Sequence, residues 1–208
     1  MIHSHKVDMK LDTLLKIPTL LLLWMIWLTH IKMIHQIWLA PVYKKEQIVE
    51  EIVLNILKYN QDFCKENNIK YKLWTEKDLK EFNLDELYHN YKNAYICDIM
   101  RCHILSKYGG MYIDADDKIL DKNIINYIPN DDSISVRLHE EIGVTNDIIA
   151  VKRGYSFDEF LDNYDITIGA GVMRFNKFIR QNDYNIIPPE MFKDYAVRSW
   201  KIVINKGT

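Results

Sequence analysis

The sequence predicts an α/β sandwich built on a largely parallel sheet. Two observations carry that expectation: strand and helix signals alternate from Met33 onward, and a mostly apolar helix stops at a glycine pair immediately before another strand. Residues 33–39 form an apolar run, the first strand, stopped by Ala40 and Pro41. Val49, Ile52, Val53, Ile56 and Leu57 then recur at the i, i+3, i+4 spacing of an amphipathic helix. In the next strand Ile69, Tyr71 and Leu73 alternate with Lys70, Lys72 and Trp74, and Thr75-x-x-Asp78 after it has the form of a helix cap. Residues 94–108 make the apolar helix, Gly109 and Gly110 its left-handed stop, and Met111 to Asp114 a short strand. Further strands are expected at 134–138 and 147–151, a capping box at Ser156-x-x-Glu159, and a close-packed turn at 167–171. Right-handed crossovers would bring the strand ends to one edge, where ligands gather in such folds.

Composition sets the outer bounds. With 208 residues, 48% hydrophobic and 27% charged, the chain has the make-up of a folded domain, which excludes disorder and collagen-like structure. Lys and Arg number 27 against 29 acidic residues, so no field of one sign is available for nucleic acid. Cys64, Cys97 and Cys102 lack any C-x-x-C spacing and read as small buried hydrophobes. Residues 1–31 form a separate hydrophobic front end and 32–208 the folded domain. The apolar run 17–28 follows Lys6, Lys10 and Lys16 and is shorter than the ~18 to 20 residues a bilayer needs. Membrane association through residues 14–31 and a packed or interfacial helix stand as equal readings.

The chemistry concentrates between residues 94 and 117. Asp98 and Arg101 are three apart and so share one face of a helix otherwise directed into the core. Either they form a salt bridge that fixes the helix, or they offer a polar ligand one acceptor and one bidentate donor. Asp114 and Asp116, in an extended chain, would project to the same side with Ala115 pointing away. Two carboxylates converging on one point repel unless a cation lies between them, and hard oxygen donors suit Mg²⁺ or Mn²⁺ shared with substrate phosphates. A polar turn after a strand is the plain alternative.

Taken together, Ile34-His35-Gln36-Ile37-Trp38, Asp98-x-x-Arg101, Tyr108-Gly109-Gly110-x-Tyr112-x-Asp114-x-Asp116 and Ser199-Trp200 resemble the D-x-D glycosyltransferases of family 32. That family includes Golgi mannosyltransferases and bacterial capsule enzymes. The resemblance implies a GT-A-like nucleotide-sugar-binding fold and transfer of a hexose to a glycan, glycolipid or glycoprotein hydroxyl, with retention of configuration. It implies that Trp38 borders the donor base and that Asp98 and Arg101 hold the ribose, diphosphate or sugar. Asp114 would contact the ribose or reach the metal through water, Asp116 would ligate the metal, and Ser199 and Trp200 would close over the pyrophosphate. Asn146 and residues 169–171 would line the donor sugar or acceptor, and a membrane location, Golgi-like in a eukaryote, would suit the front end.

One departure is material: relatives often carry a His shortly before the Ser-Trp pair, and 194–198 have none. A catalytically degenerate sugar-nucleotide-binding membrane module is therefore the alternative to an enzyme. A D-x-D phosphotransferase of the haloacid-dehalogenase type fits poorly, because Lys118 stands where that chemistry wants Thr or Val and the motif lies mid-chain. Catalysis, in the expected reading, consists of stabilising the negative charge that develops on the leaving diphosphate, a task assigned to the metal at Asp116 and to Arg101. His35 and His103 read as satisfied structural histidines.

Overall fold

The computed structural model describes residues 32–39, 47–91, 93–139, 143–165 and 171–194. The front end 1–31, the stop at Ala40 and Pro41, and the Ser199-Trp200 pair lie outside them, as does the turn at 167–171 apart from Gly171. Among the described residues no helix is long and apolar enough to cross a membrane.

The expected α/β class and mostly parallel sheet are borne out. Strands β1 (Met33–Ile37), β2 (Lys70–Trp74), β3 (Gly110–Ile113), β5 (Ile134–His139), β6 (Gly143–Val151) and β7 (Tyr184–Ile187) form one sheet in the order β2-β1-β3-β6-β5-β7. Parallel pairs join β1 to β2 and β3, and β5 to β7; β6 alone runs against its neighbours β3 and β5. A separate two-stranded ribbon pairs β4 (Asp117–Ile119) with β8 (Phe192–Asp194).

The period of two along β3 and β6 divides the core between the sheet's faces. Met111, Ile113, Ile148 and Ala150 join Ile34 and Cys64 of helix α1 (Gln47–Glu66) in one cluster. Tyr112, Ile149 and Val151 join Ile96, Met100 and Leu105 of α3 (Asn93–Tyr108), and Phe175 and Ile179 of α5 (Gly171–Ile179), in the other. The short helices α2 (Asp85–Tyr88) and α4 (Asp158–Asp162) lie on the α3 side, through Leu87 and Phe160. Cys64 and Cys102 are buried and all three thiols are free; burial pushes those of Cys64 and Cys97 up to about 12.

The alternation along β2 holds, and one cap expectation is corrected. Trp74 belongs by alternation with Lys70 and Lys72, yet it is 1% exposed. That side of β2 is roofed by Phe82 and Tyr108, whose rings lie 5.6 and 5.4 Å from the Trp74 ring, and the Lys72 ammonium caps it at 3.3 Å. At Ser156 there is no box with Glu159: the Ser156 hydroxyl accepts from the Asp158 N–H (3.2 Å) and donates to its carboxylate (2.8 Å), while Phe157 occupies the cap position. The Thr75 cap does form, with the Thr75 N–H donating to Asp78 at 2.9 Å.

Gly109 and Gly110 make the junction between α3 and β3. Both have positive φ, 66° and 94°, and a Cβ on Gly110 would collide with the Met33 carbonyl of β1. The same junction fixes His35. Its Nε2–H donates to the Gly109 carbonyl (2.9 Å), and its Nδ1 accepts from the Trp74 indole (3.2 Å), so the ring is held neutral. Burial drives its pKa down to about 4.

An unfolded His takes a proton below about 6.5, whereas the folded one resists until about 4. Stability attributable to His35 is therefore complete above pH 6.5 and falls by about 1.4 kcal/mol per pH unit as the pH drops through that window. Urea denaturation of wild type and His35→Gln at pH 7.5, 5.5 and 4.5 should show a shallower pH slope in the variant; parallel slopes would contradict the neutral buried imidazole.

Candidate active site

The carboxyl ends of β1 and β3 meet the start of β6 at one edge of the sheet, which puts Trp38, Asp114, Asn146 and Asp147 on neighbouring segments. The Asp114 N–H donates to the Asp147 carbonyl (2.8 Å), and the Asp117 N–H donates to the Asp114 carbonyl (3.1 Å). Residues 114–117 are thus a turn, not the extended chain from which the shared side of Asp114 and Asp116 was inferred. Ala115 and Asp116 occupy its corners, and Asp116 is half-buried.

Behind this turn the charge pair of α3 forms as the helical spacing requires. Arg101 Nη2 lies 3.1 Å from Asp98 Oδ1, and Arg101 Nη1 lies 3.3 Å from Asp114 Oδ1. Arg101 Nε donates to the Cys97 carbonyl (3.2 Å), Nη1 also donates to the Asn146 carbonyl, and the guanidinium stands 4.5 Å from the centre of the Tyr112 ring. The Tyr112 hydroxyl donates to Asp114 Oδ1 (2.6 Å). On Asp98, the Asn146 amide reaches Oδ1 (2.8 Å) and the Tyr164 hydroxyl reaches Oδ2 (3.2 Å).

Exposure separates the roles within this cluster: the side chains of Arg101 and Asp98 are 6% and 12% exposed, that of Asp114 32%. Asp114 is the member that faces the solvent edge. Burial raises the Asp98 pKa against the opposing pull of Arg101. For Arg101 burial works against the charge, but Asp114, Tyr112 and Asp98 outweigh it and hold the guanidinium above its ordinary range. Burial beside Asp114 also lifts the Tyr112 phenol well above its usual value, so it remains a donor. All three Arg101 nitrogens have protein partners. Of the two readings the spacing left open, the salt bridge with Asp98 is present, and what Arg101 offers the edge is positive charge behind Asp114.

A second polar cluster, which sequence reasoning missed, lies beneath the turn. The Gln36 amide donates to the Asp114 carbonyl (2.9 Å) and accepts at its oxygen from the Tyr71 hydroxyl (2.9 Å) and the Asn60 amide (3.1 Å). Asn60 donates to the Asp117 carbonyl (2.8 Å) and accepts from the Ile119 N–H (3.0 Å). Arg137 of β5 lies 2.9 Å from Asp117 and also pairs with Asp147. One signal was available: Asn60 continues the apolar stripe Val53, Ile56, Leu57 and Cys64, and a polar residue there is fully buried.

Trp38 follows β1 directly and is half-buried, with its N–H donating to the Trp74 carbonyl (2.9 Å). Asp98, Arg101, Asp114 and Asn146 are brought together; Asp116 adjoins them in the turn. No cluster of three or more His, Cys, Asp or Glu that could enclose a metal occurs among the described residues. Two carboxylates at an open edge nevertheless match the needs of Mg²⁺ or Mn²⁺, which characteristically take the rest of their shell from water and substrate phosphates.

With this geometry in view the class of the region is clear. Residues 47–135 match the family described as the glycosyltransferase sugar-binding region containing the DXD motif, and the matched span holds Asp98, Arg101, Asp114 and Asp116. The chain thus carries a span that matches a glycosyltransferase sugar-binding region, in line with the resemblance of its motifs. Among solved structures it is similar to one titled PaToxG Glycosyltransferase, at 16% identity, over 72% of this chain and 69% of that chain, with a TM-score of 0.43. No curated protein matches the chain.

Because Arg101 neutralises Asp98 in a buried setting, Arg101→Met should cost about 3 to 5 kcal/mol of folding stability. Asp114 is one-third exposed, and Asp114→Asn, which keeps an acceptor oxygen for Tyr112 and Arg101, should cost less, about 1 to 2 kcal/mol. Denaturant melts of the two variants test the contrast; equal losses would mean that the two carboxylates share the burden.

Proposed function

We propose that the chain is a metal-dependent hexosyltransferase that moves a sugar from a nucleotide-sugar donor to a hydroxyl of a glycan, glycolipid or glycoprotein, with retention. The observation that carries this reading is Asp114, held by Arg101 and Tyr112 at the exposed end of β3, two residues from Asp116 and inside the DXD-matched span. Asp116 and Asp114 are the residues that would hold Mn²⁺ or Mg²⁺. When bound, that ion supplies positive charge against the departing diphosphate.

The chain's own groups prepare the site. Arg101 lends its charge from behind Asp114, and because its nitrogens are already engaged it needs no reorganisation as charge develops. The Tyr112 hydroxyl and Arg101 both contact Asp114 Oδ1, so they orient this carboxylate for the donor ribose or a metal-bound water. Asp98, bonded to Asn146 and Tyr164, positions Arg101 and sets the Asn146 amide at the edge of the donor-sugar site. Trp38 supplies an aromatic face for the base, worth ~1 to 3 kcal/mol where stacking occurs. By the family resemblance, Ser199 and Trp200, which lie outside the described residues, would close over the pyrophosphate, and residues 14–31 would either associate with a membrane or pack as a helix.

Nucleotide sugars screened by thermal shift in Mn²⁺ should yield one donor that stabilises the full chain, by ~2.7 kcal/mol at 100 times its dissociation constant. That donor should be hydrolysed slowly in Mn²⁺, and Asp116→Ala should lower the rate at least 100-fold. Binding without turnover, unchanged by metal or by the substitution, would favour the degenerate module; no donor bound under any condition would sink both.

A further inference from the structure

We propose that Arg137 is a positioning residue for the metal-holding turn, setting the cation affinity of Asp114 and Asp116 without touching the cation. This rests on the assignment of a divalent ion to that turn under Proposed function.

The turn is joined to Arg137 at both ends. At its far end Asp117, the residue after Asp116, lies 2.9 Å from Arg137 Nη1, and both side chains are buried, 2% and 8% exposed. At its near end the Asp114 N–H is bonded to the carbonyl of Asp147 (2.8 Å), whose carboxylate pairs with Arg137 Nη2. Asp147 is itself fixed by the Thr145 hydroxyl and by the Ile148 N–H (2.8 Å), and Thr145 bonds back to the Arg137 carbonyl (3.3 Å). One guanidinium thus spans the two anchors of a four-residue turn.

The carbonyls of the turn are held separately by Gln36 and Asn60, so the backbone is clamped from below while Arg137 fixes its lateral position. Arg137 also offsets two acidic side chains beside Asp114 and Asp116. Without that charge, four carboxylates within four residues of one another or across one strand pair would repel, and the turn would relax away from the geometry that a small, rigidly coordinated ion demands. Partners of metal ligands at one remove characteristically change metal affinity 10- to 100-fold when altered. Lys cannot reproduce the effect fully, because a single ammonium does not span both carboxylates as the planar fork does.

The test is Mn²⁺ binding by the full chain, followed by the loss of the free-ion electron paramagnetic resonance signal, at a temperature where each variant is folded by circular dichroism. Asp117→Asn, nearly the same shape, should weaken Mn²⁺ about 10-fold. Arg137→Met should weaken it 10- to 100-fold, and Arg137→Lys should restore part of that loss. If Arg137→Met does not fold, Asp117→Asn and Arg137→Lys decide. Affinity within twofold of wild type in both of these, while Asp116→Asn abolishes binding, would overturn the positioning role and leave the metal reading intact. Absence of Mn²⁺ binding by the wild type would overturn both.

Discussion

The arrangement depends on a guanidinium buried between two carboxylates. Burying Arg101 is unfavourable by several kcal/mol unless each of its donors finds a partner, and its partners come from three places: Cys97 and Asp98 on its own helix, Asp114 at the end of β3, and the Asn146 carbonyl on β6. Satisfying one side chain therefore fixes the relative position of a helix and two strands. The Gly109-Gly110 junction follows from the same requirement. Helix α3 must hand over to β3 at once if Arg101 is to reach Asp114, and the sharp reversal uses backbone conformations with φ of 66° and 94° that residues with side chains rarely adopt.

Around the turn 114–117 the polar groups fall on both sides of the sheet. On the α3 side stand Arg101, Asp98 and Tyr112; on the α1 side Gln36 and Asn60 meet the turn's own carbonyls, and Tyr71 donates to Gln36. A buried amide with unpaired groups would cost about 1 to 3 kcal/mol, so these residues are retained only as a connected set. The outcome is a short acidic turn with little freedom, on which an ion or a ribose can be bound with few rotamers left to freeze.

Much of this was legible in the sequence, for definite reasons. Asp98 and Arg101 stood out because charge is conspicuous on an apolar helix and a spacing of three guarantees a shared face. The β3 strand was visible because Gly-Gly punctuates it. At 114–117 the sequence left an extended strand and a polar turn both open, and the bond from the Asp117 N–H to the Asp114 carbonyl decides for the turn. The burial of Trp74 was not legible, because alternation reports which residues share a face but not what roofs that face, which here is Phe82 and Tyr108. Arg137 gave no signal at all: its partners Asp117 and Asp147 lie 20 and 10 residues away, and a strand arginine ordinarily faces solvent.

The two carboxylates of the D-x-D motif are not equivalent. Both contacts recorded for the Asp114 side chain, the Tyr112 hydroxyl and Arg101 Nη1, fall on Oδ1. An oxygen that accepts a hydrogen bond and an ion pair has less electron density to offer a cation, so ligand chemistry at Asp114 passes to Oδ2, in an orientation that Tyr112 and Arg101 dictate. Asp116 stands at the corner of the turn, half-buried. In the proposed reading Asp114, already partly neutralised, suits a hydroxyl or a metal-bound water, and Asp116 is the direct metal ligand. Spacing alone presents these residues as a symmetrical pair; the buried arginine behind Asp114 gives that carboxylate its fixed orientation.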